Sequence, residues 1–113
     1  MFFSRNSNDV TQLYGPKLSS HVKSALNSNV TACVLDGEII VWDSELNRAA
    51  PFGQNKTVAG EQFEDFNNEK PRFYLVYKVF DVLFVKFTSE KSETQMVDQT
   101  LRERKAMILK VLK

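Results

Sequence analysis

The chain has 113 residues, room for one small domain and no more. Hydrophobic residues make up 42% and charged residues 26%, which excludes a disordered chain, and nine Phe, three Tyr and one Trp supply bulk for a core. A formal net charge of +1 lacks the strongly basic balance that by itself marks a nucleic-acid binder, although a local basic face is compatible with it.

Met1 to Asn6 reads as the end of a strand running into a polar loop. Leu18, Val22, Ala25 and Leu26 recur at helical spacing, so a short helix is expected over Ser19 to Asn27, capped by Ser19 or Ser20. Thr31 to Asp43 is rich in Val and Ile and reads as a strand. Its alternation puts Val34, Asp36, Glu38, Ile40 and Trp42 on one face. Gly37 between the two carboxylates suggests a bulge or a close backbone approach. A carboxylate among large apolar neighbours needs a partner, so Glu38 is expected to have one.

Ser44 to Pro71 is polar and rich in turn residues, with a return strand expected near Ala49 to Phe52 and a short helix around Glu61 to Phe66. Phe73 to Phe87 is the most apolar stretch and too long for one simple strand without a kink or turn, which makes Asp81 a candidate interruption. If it is extended, Lys78, Phe80, Val82 and Phe84 share a face opposite Val79, Asp81, Leu83 and Val85. Thr88 to Gln99 reads as a polar loop. Asp98 or Thr100 then caps a final helix from Leu101 to about Leu112, whose apolar stripe is Leu101, Ile108, Val111 and Leu112. Arg102, Lys105, Lys110 and Lys113 lie mostly outside that stripe.

The lone Cys33 cannot form an internal disulfide, which fits a reducing compartment, and its apolar strand setting suggests an inert packed thiol. His21 is expected to be exposed, with no zinc-ligand spacing near it. No apolar run is long enough to span a bilayer, and the opening residues lack the layout of a signal peptide, so a soluble intracellular chain without a membrane partner is expected.

Four stretches share an order that carries more information than any one of them. They are Phe3-Ser4-Arg5-Asn6, Leu35-Asp36-Gly37-Glu38-Ile39-Ile40, Val79-Phe80-Asp81-Val82-Leu83 and Leu101-Arg102-Glu103-Arg104-Lys105 with Leu109. In that order they resemble the Ser-Arg, Asp-Gly-Glu and Phe-Asp motifs and the Leu-x-x-Arg-(Arg/Lys) helix of the ATP-dependent DNA ligases. Tyr14-Gly15 and Pro51-Phe52-Gly53 with Lys56 resemble fungal-type members of the end-joining branch, DNA ligase IV. The resemblance implies an α+β fold of mostly antiparallel strands and short helices, part of an ATP-grasp-like nucleotidyltransferase domain over 1–113.

It also implies roles. Arg5 would contact the AMP ribose or the 5′-phosphate of DNA, where a planar guanidinium fork matches phosphate oxygens. Glu38 would accept hydrogen bonds from the ribose hydroxyls, and it is the candidate ligand for a magnesium ion, which prefers oxygen donors. Phe80 would stack on adenine. Asp36 and Asp81 would support local geometry, and Arg104 would pair with a carboxylate or face DNA. Taken one at a time, Arg5 reads as a solvated loop arginine, Phe80 as core, and the basic helix face as solvated.

Enzymes of this family start when a lysine in a Lys-x-Asp-Gly motif, upstream of the Ser-Arg motif, attacks the α-phosphate of ATP, and no such motif exists here. Here Asp36-Gly37 has the motif's ending, but Val34 stands where the lysine would be. Nor are the downstream Glu-Gly and lysine motifs present. The chain is therefore expected to be a partial adenylation domain, truncated at both ends. Alone it should not adenylate itself, because a covalent nucleophile has no substitute among binding groups. Ser7 stands where the family usually has Gly after Ser-Arg-Asn, and the Asn-Gly turn that often follows the Phe-Asp strand is replaced by Lys86-Phe87-Thr88.

The implied parent seals DNA breaks through ligase-AMP and DNA-adenylate intermediates in non-homologous end joining. It would use ATP and Mg2+ in the nucleus, on nicked or broken double-stranded DNA, with an end-joining scaffold protein as partner. The alternatives are a non-catalytic DNA- or partner-binding module of the same fold, or a piece of an RNA ligase or mRNA capping nucleotidyltransferase.

Overall fold

A computed structural model of the chain describes residues 1–51, 72–89 and 93–113. The element order is α1 (Thr11–Ala25), β1 (Val30–Asp43), β2 (Arg48–Ala49), β3 (Phe73–Phe87), β4 (Thr94–Gln95) and α2 (Leu101–Val111). The strands form one four-stranded sheet in the order β2-β1-β3-β4, and the expected α+β class with antiparallel pairing is what forms. The helix expected around Glu61 to Phe66 lies outside the described residues, as do Phe52, Gly53 and Lys56.

Two compact units divide the chain. The first comprises Met1–His21 and Ile39–Tyr77. Its small core is Tyr14 and Leu18, packed by Phe2, Val10, Leu13, Ile39, Leu75 and Tyr77. In place of the expected strand end, Met1 to Asn6 makes a single bridge, Phe3 with Asp9, closed by a tight turn in which the Ser7 N–H donates to the Ser4 carbonyl at 2.9 Å. Ser7 sits at φ 61°, the left-handed region that glycine enters without strain.

Helix α1 starts eight residues earlier than its periodicity suggested. Asp9 accepts the Thr11 N–H at 2.9 Å, and Leu13 and Tyr14 donate to the Val10 carbonyl. Pro16 lies inside the helix but near its start, where the missing N–H forfeits one intrahelical bond. Hydrogen bonding by Thr11 holds the Asp9 carboxyl below its usual range.

The β1–β2 hairpin is shorter than expected, two residues on the return strand, and Asn47 takes the left-handed position in its turn at φ 51°. Asp43, 4% exposed, anchors this corner. Its carboxylate accepts from Arg72 Nε and Nη2, both at 3.2 Å, and from the Glu45 and Leu46 N–H groups. Arg72 also meets Glu45 at 3.1 Å and lies 4.9 Å over the Phe73 ring. The Arg72 hydrogen bonds hold the Asp43 carboxyl below the ordinary value of 3.8. A carboxyl lowered by folding stabilises the folded state fully above its unfolded pKa, and that contribution disappears as pH falls through the folded pKa. Stability should therefore fall on acidification below about pH 4, and Asp43→Asn should flatten that acid limb in urea unfolding curves taken across pH.

The second unit comprises Val22–Glu38 and Lys78–Lys113. Val82, Val85, Phe87, Met96 and Val111 form its buried core, flanked by Leu26, Val30, Cys33, Leu35, Met107, Ile108 and Leu112. Burial raises the Cys33 thiol above its ordinary value, in keeping with an inert packed thiol. Asn27 ties the unit's ends together: its side-chain amide donates to the Lys110 carbonyl at 2.8 Å and to the Leu112 carbonyl at 3.2 Å.

Strand β3 is one continuous strand of fifteen residues, so Asp81 does not end it. β1 has fourteen. The pair is joined at both ends, Ser44 to Arg72 and Thr88 to Asn29, each at 2.8 Å, so β3 carries one residue more than its partner. That is the mark of a β-bulge. The expected shared face of Lys78, Phe80, Val82 and Phe84 accordingly breaks: Lys78 and Phe80 are exposed whereas Val82 is fully buried. The Val82 N–H is taken up by the Asp81 carboxylate at 2.9 Å. Gly37 marks no bulge, since alternation runs unbroken from Cys33 to Ile39; the break in β1 falls at Thr31–Ala32.

Thr100 caps α2 in a reciprocal box. Its hydroxyl accepts the Glu103 N–H, and the Glu103 carboxylate accepts the Thr100 N–H, each at 3.2 Å. Thr100→Ala should cost about 1 kcal/mol in urea unfolding, the usual loss of such a cap. Leu101, expected in the apolar stripe, is 58% exposed, and Met107 takes its place against the core.

Candidate nucleotide-binding surface

Most of the residues singled out by motif fall in the second unit. The core face of β1 carries Cys33 and Leu35, so Val34, Asp36 and Glu38 point away from the core, and all three are exposed. The partner expected for Glu38 is absent among the described residues: its side chain makes no hydrogen bond or ion pair with any of them, and it lies exposed on the face it shares with Val34. Val34, which shares this face, is 50% exposed.

Phe80 follows on β3, the strand paired with β1. Phe80 takes no part in the core and is 42% exposed. Exposure alone does not single Phe80 out, since Phe3 and Tyr74 are exposed as well; its place on the strand beside the one that carries Asp36 and Glu38 does.

Behind Phe80 the strand is held by α2. Arg104 Nε donates to both Asp81 carboxylate oxygens, at 2.9 and 3.1 Å, and Nη1 donates to the Gln99 carbonyl at 2.8 Å. Of the two roles expected for Arg104, it takes the carboxylate pair. The side chains are 22% and 16% exposed, so this ion pair is partly shielded from water. The next residue, Lys105, donates from Nζ to the Phe80 carbonyl and lies 5.9 Å from the centre of the Phe80 ring. Sequence reasoning gave Lys105 no role beyond the basic helix face, because nothing in a helical period tells which residue of a neighbouring strand it meets.

Arg5 belongs to the first unit, on the exposed turn between Phe3 and Asp9, and it makes no hydrogen bond or ion pair with a described residue. Among the described residues no three His, Cys, Asp or Glu converge as a metal cage. An exposed carboxylate such as Glu38 still fits magnesium of the kind that keeps several waters and takes one or two carboxylates besides phosphate oxygens. No described helix is long and apolar enough to cross a membrane.

The family model described as the ATP dependent DNA ligase domain matches residues 1–113. A protein named DNA ligase 4 from Arabidopsis thaliana is 38% identical over 112 residues, 99% of this chain and 8% of that protein. The DNA ligase 4 of Neurospora crassa is 33% identical over 111 residues, 92% of this chain and 10% of that protein. That of Emericella nidulans is 33% identical over 120 residues, 99% of this chain and 11% of that protein. The chain thus spans about a tenth of the length of these relatives. With the Asp-Gly-Glu and Phe-Asp motifs lying on paired strands and residues 1–113 matched by the family model, the chain belongs to the ATP-dependent DNA ligase domain family.

Proposed function

We propose that this chain forms one wall of the nucleotide pocket of an ATP-dependent DNA ligase acting in non-homologous end joining in the nucleus. The observation that carries the reading is the open Phe80, paired across the sheet with a strand bearing exposed Glu38 and Asp36, in a chain of this family. Phe80 would stack on adenine, which a flat aromatic face does regardless of hydrogen-bond pattern. Glu38 would accept from the ribose hydroxyls and offer one oxygen to magnesium. Arg5 would bind phosphate of the nucleotide or of DNA. Asp36, Asp81 and Arg104 would hold this geometry. Bound ATP supplies the AMP that is passed to a broken DNA end; the residues here orient it.

Labelled ATP added to the full-length protein tests the reading through formation of the lysine-AMP adduct. Phe80→Ala should raise the apparent KM for ATP by about tenfold, the scale of one lost base stack. Glu38→Gln should weaken binding in the same assay. An unchanged KM in both variants would remove the basis for the proposal.

A further inference from the structure

Two consecutive residues of α2 grip two consecutive residues of β3. Arg104 holds the Asp81 carboxylate, and Lys105 holds both the carbonyl and the ring of Phe80. Phe80 needs such a hold. At 42% exposure its ring is not fixed by packing, and a free aromatic side chain samples several staggered rotamers. An ammonium within about 6 Å of a ring centre is attracted to the ring face. A contact on one face leaves the other for a planar ligand.

We propose that Lys105 is a positioning residue. By bonding the Phe80 carbonyl and seating its ammonium against the ring, it selects the orientation in which Phe80 receives the adenine of ATP. This rests on the stacking reading of Phe80, and the test separates the two. Lys105 is exposed and outside the core, so its replacement should leave folding intact.

The experiment is a double-mutant cycle in the full-length protein, reading KM and kcat for lysine-AMP formation from ATP, with the melting midpoint as control. Lys105→Met keeps the length of the stem and removes charge and donor. It should raise KM about two- to fivefold, the worth of an exposed cation–π contact, with kcat and melting midpoint unchanged. Lys105→Arg, which keeps charge and donor, should restore KM. Phe80→Ala should raise KM further, and adding Lys105→Met to it should change nothing more, because the two act through one ring.

A normal KM in Lys105→Met alongside a raised KM in Phe80→Ala would overturn the role of Lys105 and leave the stacking intact. A normal KM in both would overturn the stacking as well. An equal rise from Lys105→Met with and without the Phe80 ring would show that Lys105 meets the nucleotide directly, contrary to this proposal.

Discussion

Met96→Ala is expected to destabilise the chain by about 2–5 kcal/mol, a large share of the 5–15 kcal/mol that typically holds a domain together. Met96 is 3% exposed and packs among Val82, Val85, Phe87 and Val111. Its backbone is pinned too: the N–H donates to the Leu83 carbonyl at 2.9 Å, and its own carbonyl accepts from Gln99 at 3.0 Å. The loss is therefore a lost transfer term plus a cavity. Equilibrium urea unfolding measures it. Met96→Leu, which conserves volume, should cost less than about 1.5 kcal/mol.

Arg104→Met is the second large effect, expected at about 2–3 kcal/mol in the same measurement. The pair it breaks is mostly shielded, with Asp81 16% exposed and doubly bonded by the guanidinium. Removing the arginine leaves that carboxylate with the Val82 N–H alone among described partners. The cost comes from stranding a half-buried charge rather than from the intrinsic worth of the pair. The double variant Arg104→Met with Asp81→Asn should therefore recover most of the loss. If it is as unstable as the single variant, the ion pair is not what fixes α2 to β3.

The parts legible in the amino-acid chain were those with a strong local signal. Apolar alternation in β1 located it to within one residue, and Thr100, one of the two caps considered with Asp98, marked the start of α2. The start of α1 was hidden because Gly15-Pro16 reads as a stop, although a proline so near the beginning of a helix costs one bond. Faces of β3 were misread past Phe80, since alternation carries no notice of an extra residue in one strand and Val82 turns inward. Met96 was invisible for a different reason: a single apolar residue in a polar stretch has no period, and only the chain's return brings it under the sheet.

The candidate site was legible as a set of residue types, through motif resemblance. Its support was not, apart from the carboxylate partner of Arg104. The capture of Phe80 by Lys105 depends on the way α2 lies along β3, twenty-odd residues distant in the chain. Asp43 and Arg72 were missed likewise, for their pairing bridges the stretch between two strands.

The central claim is that the open face around Phe80 receives the adenine of ATP. Photolabelling of the full-length protein with an azido-adenine analogue of ATP tests it most directly. The label should appear on the peptide that carries Phe80 and should disappear when excess ATP competes. A label that ATP competes away, yet found only on peptides lacking Phe80, would contradict the account.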